Sequence, residues 1–514
     1  YVKPNMNNLI IYKMLIRDFT EADSFQAALT HLDYLEQLGI NAIELNPVSE
    51  FEGNDSWGYN VSFHGALDKA YGTQTDLKQF VDACHSRGIA VILDVVYNHA
   101  FSQSPLVQLY WDSANNKPAA NSPWFNPDAT HPFNVGYDIN HESLYTKTYV
   151  KQTLKYWLDE FKVDGFRVDL SKGFTQTNNP NNVAAWGNYD ASRVAILEDY
   201  ANYIWNNVSS DAYLILEHLA DNSEETVLAN FGFMLWGNLN YSFNQNTMGF
   251  ASGADVSSLS YKSRGWNNPN LVGYMESHDE ERLMVRNLAY GNSNGTYNVK
   301  NLNTALDRQK AATAILYGIP GPKMLWQFGE LGYDKSINCA NDITDSSCRL
   351  DRKPVAWTLG YDTQTNRVAL YNVTAKMMSL KKRFPSTFNT DDFSFSLNGL
   401  VKRINLNDNV GDFDVVIVAN FDVSTQSVNP NFPSTGTWYN LLDKNNPTEI
   451  SNTSALMSLA PGEFKVYGNY PVIDPNDLDS DGVVNANDSC SSTPLGATVD
   501  VNGCEVYTLP STNF

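Results

Sequence analysis

Eight short apolar runs recur along the first 330 residues, each separated from the next by a longer, mostly helical stretch. They are Asn8–Leu15, Asn41–Pro47, Ile89–Val96, Lys162–Leu170, Ala212–His218, Phe231–Gly237, Leu271–Asp279 and Pro322–Glu330. Runs this short and this apolar read as strands buried on both faces, and helices between such strands force them to be parallel. "SFQAALTHLDYLEQLGI" has apolar residues at helical spacing and stops at Gly39. "TDLKQFVDACHSRGI" predicts a helix capped by Thr75 and ended by Gly88, and "SLYTKTYVKQTLKYWLDEF" predicts a third. Eight strand–helix units define an α/β fold, an eight-stranded (β/α) TIM barrel. An open doubly wound sheet is the alternative arrangement of the same units.

The rest of the chain follows other rules. Residues 100–141, after the third strand, are rich in Asn, Pro, Ser and aromatics and predict a short irregular subdomain inserted into a barrel spanning 1–384. Residues 385–470 alternate apolar and polar positions between turn residues, as in "FDVVIVANF", which predicts an antiparallel β-sandwich. Residues 471–514 are polar and rich in Asp and Asn.

A formal net charge of −22 argues against nucleic acid as partner, because phosphate binding needs clustered Lys and Arg. No apolar run is long enough to span a bilayer. Of the five cysteines, Cys339 and Cys348 bracket one polar loop and Cys490 and Cys504 another, which fits two disulfides in an oxidising compartment. Cys84, on a helix, reads as a buried inert thiol. The chain starts without Met or a leader, so the expectation is a secreted or cell-surface protein from which a signal segment has been removed.

Barrel active sites form at the C-terminal ends of the strands. The residues there are Asp94, Asn98 and His99 on the third strand, Arg167 and Asp169 on the fourth, Glu217 on the fifth, and His278 and Asp279 on the seventh. Three carboxylates (Asp169, Glu217, Asp279) therefore converge on one mouth. Carboxylates held close repel, so such a cluster needs a chemical purpose. Glycoside transfer supplies one: an ionised carboxylate attacks the anomeric carbon while a second, kept protonated, donates to the leaving oxygen. Arg167 and Asp169, two residues apart on a strand, share a face, so Arg167 can keep Asp169 ionised.

"DVVYNH", "GFRVDLSK", "ILEH" and "ESHD", in that order, resemble the four signature regions of the α-amylase superfamily of retaining glycoside hydrolases. "DSWGYNVSFHGALDKAYGT" at Asp55–Thr73 resembles the corresponding stretch of its branching and debranching members. The resemblance runs from about Leu9 to Gly468. It implies Asp169 as nucleophile, Glu217 as acid/base and Asp279 as transition-state stabiliser. It also implies Tyr59, His99, Arg167 and His278 around the sugar, Asp94 in support of Arg167, and Asn98 as a calcium ligand, with plain hydrogen bonding as the alternative for Asn98. Many family members have Lys-His after the nucleophile strand, at the leaving-group side; here the pair is Lys172-Gly173, so the resemblance implies Lys172 as a substrate-binding residue and leaves the rest of the acceptor side open. Trp57, Trp111, Trp124 and Trp236 are candidate sugar platforms, with core packing as the alternative for each.

The tail places Asp477, Asp479 and Asp481 at alternate positions before Gly482, with Asn485 and Asp488 following. Alternating acidic oxygens before a glycine turn suit calcium. The run resembles a type-3 thrombospondin repeat stapled by Cys490 and Cys504; an acidic linker is the alternative.

The expected protein is an endo-acting retaining hydrolase of α-1,4-glucans, a secreted monomer with structural calcium, no organic cofactor and a polysaccharide or oligosaccharide substrate. The alternatives are α-1,6 debranching, branching or transglycosylation, a silent glycan-binding barrel, or a calcium-dependent adhesion module. The mechanism requires the Asp169 and Glu217 carboxyls to lie roughly 5–5.5 Å apart.

Overall fold

The computed structural model describes residues 1–472, 483, 488–490, 492–493, 499–500 and 502–506. Eight parallel strands close a barrel: β1 Ile10–Met14, β2 Ala42–Leu45, β3 Ala90–Val95, β4 Gly165–Val168, β5 Tyr213–Leu216, β6 Met234–Asn238, β7 Leu271–Tyr274 and β8 Lys323–Trp326. Each pairs with its neighbours in sequence and β8 returns to β1. Every run expected as a strand is one. The expected bounds overshoot at the C-terminal ends of every strand but β6, most at β7, where the ladder stops at Tyr274 and the chain to Asp279 forms loop.

The helices follow the expected pattern with two differences. Residues 25–38 form two helices, Phe25–Leu29 and Leu32–Leu38, rather than one. The Thr30 hydroxyl donates back to the Ala27 carbonyl at 2.7 Å and competes with the helical ladder, while His31 stacks flat on Trp357 at 4.4 Å. The helix Gln74–Ser86 is capped by Thr73, not Thr75: Thr73 and Asp76 form a reciprocal capping box. Residues 100–141 form the irregular insertion, with a helix Pro105–Leu109 and a small core of Ala100, Val107, Phe125 and Ile139. Cys84 is buried, and burial pushes its thiol far above the ordinary range.

A six-stranded antiparallel sheet follows: β9 Phe393–Ser396, β10 Val401–Leu406, β11 Val415–Asn420, β12 Gly436–Asn440, β13 Asn446–Ile450 and β14 Phe464–Gly468, in the spatial order β9-β10-β11-β14-β12-β13. A two-stranded sheet, Gln426–Val428 with Met457–Leu459, lies beside it. The sheet packs on the barrel helix Leu302–Gly318 so tightly that a Cβ on Gly318 would lie 2.5 Å from Ile417 Cδ1. Arg308, on that helix and fully buried, donates to the Asn246 and Thr247 carbonyls of the barrel and to the Phe421 carbonyl of the sheet. Cys339–Cys348 and Cys490–Cys504 are disulfides, as the spacing predicts. Among the described residues no helix is long and apolar enough to cross a membrane.

Candidate active site

Charged residues of β1 to β4 form one continuous network. Lys13 (β1) donates to Glu44 (β2) and Asp94 (β3) at 2.8 Å each, with all three side chains fully buried. Asp94 is also bound by Arg167 Nη1 at 2.7 Å and by the Tyr59 hydroxyl at 2.7 Å. Burial works against its charge, but Arg167 and Lys13 outweigh burial and hold the Asp94 carboxyl below its usual range. Beneath both cations lies Trp236, with its ring centre 4.0 Å from the Arg167 guanidinium carbon and 5.0 Å from Lys13 Nζ.

Arg167 then reaches two of the expected catalytic carboxylates at once. Its Nη1 is 2.8 Å from Asp169 Oδ1 and its Nη2 is 3.0 Å from Glu217 Oε2. Asp169 continues from β4, with its amide on the Val95 carbonyl; Glu217 follows β5, with its amide on the Val168 carbonyl. Adjacent parallel staves thus bring the two carboxyls to one guanidinium. Leu170 takes a left-handed conformation, φ 43°, that a γ-branched side chain disfavours. The turn aims the Leu170 amide at Glu217 Oε2, 2.8 Å away. Burial pushes the Asp169 carboxyl well above the ordinary range; Arg167 opposes this, and the charges of Glu217 and Asp94 add to it. Arg167 is thus the group that favours the ionised form of Asp169 against its surroundings.

A second buried network fixes the loop behind Glu217. Ser171 Oγ donates to the Glu217 carbonyl at 2.9 Å and lies 2.9 Å from His218 Nδ1. His218 Nε2 meets Glu224 at 2.6 Å, and Arg193 clamps Glu224 through two nitrogens at 2.6 and 2.7 Å.

Asp279 stands at the rim, with 42% of its side chain exposed. His278 Nε2 lies 3.2 Å from its Oδ2, and Arg349 Nη2 donates to its Oδ1 at 3.0 Å. Burial opposes ionisation, but His278, Arg167 and Arg349 together hold the carboxyl far below its usual range. The His278 ring stacks on Tyr59 with centres 4.9 Å apart and meets the edge of Trp57 at 5.6 Å; its Nδ1 is buried and has no hydrogen-bond partner. A small cavity beside it is lined by Trp57, His278, Glu280, Trp326, Tyr333 and Lys335, among others.

Several expectations change here. His99 is 1% exposed and its Nε2 meets the Tyr59 carbonyl at 2.8 Å, so it holds Tyr59 in place and faces no open cleft. Asn98 makes a buried hydrogen bond, with His131 Nε2 reaching its Oδ1 at 3.0 Å. Among the described residues no group of three His, Cys, Asp or Glu side chains is arranged to hold a metal. Trp236 is 1% exposed inside the barrel and cannot serve as a sugar platform; burial under two cations is its role. Trp111 and Trp124 pack against the insertion's own core, so that of the four expected platforms only Trp57 lines the cavity, beside Trp326. Lys172 turns to the Leu219 carbonyl at 2.8 Å and lies over the Trp186 ring at 4.1 Å. Asp477, Asp479, Asp481 and Asn485 lie outside the described residues; Asp488 Oδ1 accepts from the Cys490 amide at 2.7 Å. Sequence reasoning passed over Lys13, Glu44, Ser171, His218, Glu224, Arg193 and Arg349. Lys13 and Glu44 carried a signal, since each is a lone charge inside an apolar run.

A closed eight-stranded barrel followed by an antiparallel sheet, with paired carboxylates at the strand ends, defines a glycoside hydrolase. The family model of the α-amylase catalytic domain matches residues 24–137 and 133–384, and the chain belongs to that family. Alpha-amylase 3 of Dictyoglomus thermophilum is 24% identical over 362 residues, 65% of this chain and 66% of that one. The malto-oligosyltrehalose trehalohydrolase of Saccharolobus solfataricus is 32% identical over 170 residues, 33% of this chain. That match takes in 28% of the relative's length, and four similar trehalohydrolases are matched over 25–30% of theirs. Among solved structures, an Anoxybacillus α-amylase superposes with a TM-score of 0.70 at 18% identity, covering 92% of this chain and 100% of its own. A pullulanase from Bacillus acidopullulyticus gives 0.68 at 18% identity, covering 91% of this chain and 61% of its own. At such identities these structures speak for the fold.

Proposed function

We propose that the protein is an endo-acting hydrolase of α-1,4-glucosidic bonds in starch- or glycogen-like glucans, working by double displacement with retention. One observation carries this reading: a single guanidinium, Arg167, contacts both Asp169 and Glu217 at 2.8 and 3.0 Å. That arrangement suits an attacking carboxylate and a proton donor on adjacent staves, roughly 5–5.5 Å apart. Arg167 opposes the burial that disfavours the Asp169 anion, and Asp169 Oδ1, once ionised, attacks the anomeric carbon. Glu217 in its protonated form donates to the glycosidic oxygen as that bond breaks. Glu217 then takes a proton from water as the water displaces Asp169 from the sugar. Asp279 stabilises the positive charge developing on the ring, Tyr59 offers it a face, and His278 Nδ1 offers a hydrogen bond to a hydroxyl. Asp94 keeps Arg167 in place.

A second reading is α-1,6 debranching or glucan transfer on the same machinery. Gly173, where many relatives carry His, and the Trp57-Gly58-Tyr59 context favour keeping it. Product analysis on amylose, pullulan and a branched dextrin decides between the two. Short maltooligosaccharides from amylose support the first; cleavage of pullulan with amylose untouched overturns it.

The two disulfides support a secreted or cell-surface location for a monomeric enzyme with a carbohydrate partner. Calcium in the Asp477–Asp488 tail belongs to this proposal. If it is bound there, chelation increases proteolysis of the tail, and unchanged cleavage overturns that part.

A further inference from the structure

Asp279 depends on a residue that lies 70 positions away and enters from a different element. After β8 the chain forms a ring closed by Cys339–Cys348, nine residues apart. The residue immediately after the ring, Arg349, turns into the cleft. Its Nη2 donates to the Asp279 carbonyl at 2.7 Å and to Oδ1 at 3.0 Å, and its guanidinium lies over the Trp57 ring at 5.5 Å. Each Asp279 oxygen thus has one partner, Arg349 on Oδ1 and His278 on Oδ2.

Both sides of Arg349 are fixed. The disulfide holds Cys348. Arg17, which is 3% exposed and paired with Asp18 at 2.7 Å, donates to the Leu350 and Asp351 carbonyls at 3.0 and 3.3 Å. Lys353 Nζ returns to the Cys348 carbonyl at 2.7 Å. The other root of the ring is tied to the same β7 loop as Asp279: the Ser336 hydroxyl and the Ile337 amide donate to Glu281 at 2.5 and 3.1 Å. An exposed arginine at a loop tip normally loses side-chain entropy when it pairs, and contributes little. Here the backbone is clamped before the side chain pairs, so most of that loss falls on the cross-link and on Arg17.

We propose that Arg349 is a positioning residue for Asp279 and that the Cys339–Cys348 ring serves the site by holding Arg349 there. The proposal rests on the catalytic reading of Asp279. The ring carries no group of its own to the sugar. It acts through Arg349, which fixes the Asp279 carboxylate in its ionised form and orientation.

The test compares the wild-type protein with Arg349→Ala, Arg349→Lys, Cys339→Ser/Cys348→Ser and the triple variant on maltooligosaccharides, with melting temperature recorded for each. Arg349→Ala is expected to lower kcat/KM about tenfold, the scale of losing a charge-assisted hydrogen bond that acts in the transition state. The Asp279 carboxyl, followed by carbon NMR, should titrate at higher pH in this variant, because it has lost a cation. Arg349→Lys should recover part of both effects. The double cysteine variant should lose activity in the same sense, and the triple variant should be no worse than Arg349→Ala. Additive losses would show that the ring acts apart from Arg349, and an unmoved Asp279 titration would show that Arg349 is merely structural; either overturns the proposal. If the wild type hydrolyses no glucan, the functional reading fails separately. The titration of Asp279, followed by carboxyl carbon NMR in wild type and Arg349→Ala, then decides the pairing, and an unchanged midpoint overturns it.

Discussion

Gly173 and Asn98 approach so closely that a Cβ on Gly173 would lie 1.8 Å from Asn98 Oδ1 and 2.8 Å from His131 Nε2. The insertion has placed an imidazole, His131, stacked on Trp186 at 5.1 Å, against this turn. The glycine is therefore a packing requirement of this chain. Gly173→Ala should cost about 1–3 kcal/mol through overpacking, read as a drop of several degrees in melting temperature. A variant melting within a degree of wild type would show that Asn98 and His131 yield easily.

Asp169→Asn and Glu217→Gln should each lower kcat by about a thousandfold or more with unchanged circular dichroism, since each removes a group that changes covalent or protonation state in the reaction. Glu217→Gln should be hit less on aryl glycosides whose leaving group needs no proton. Equal losses on good and poor leaving groups would assign Glu217 another role.

Lys13→Met should destabilise the fold by about 3–5 kcal/mol, because it strands Glu44 as a buried charge and leaves Asp94 to Arg167 and Tyr59 alone. Adding Glu44→Gln should restore part of the loss. Urea denaturation of the two variants measures both, and a double variant weaker than the single one would contradict the charge-balance account.

Stability should respond to pH through two opposed sets of groups. Burial holds His64 and His99 at about 4 and His141 at about 3, from an ordinary 6.5. The unfolded chain takes up these protons first, so these groups cost stability as pH falls from 6.5 towards 4. Burial pushes Glu225, Glu280 and Glu330 from 4.5 up to about 7. The folded chain takes up those protons first, so these groups add stability as pH falls from 7 to 4.5. The melting temperature should therefore stay nearly level between those limits and fall steeply below 4.5, where the histidines and low-titrating carboxylates such as Asp94 and Asp279 act alone. Calorimetry checks this; a steady decline beginning at pH 6.5 would contradict it.

The barrel was legible because its staves are buried on both faces, which leaves uninterrupted apolar runs. The carboxylates were legible because they terminate those runs. Lys13 and Glu44 were also visible, as single charges within "NLIIYKML" and "NAIELNP", but their meaning depends on pairing across staves, which no single run reveals. Arg349 had no signal at all: its link to Asp279 is set by where a cross-linked loop falls in space. The helix break at Thr30 and the burial of Trp236 likewise follow from tertiary neighbours, His31 on Trp357 and Arg167 on Trp236.

The weld around Arg308 has a consequence for anyone dissecting the chain. One guanidinium joins carbonyls of the barrel and the sheet, and Ile417 fills the space that Gly318 leaves. A fragment ending after residue 384 would expose a greasy helix face and strand a buried cation. The C-terminal sheet is thus an outer wall of the catalytic body and not a detachable accessory, and heat should melt the two in a single step.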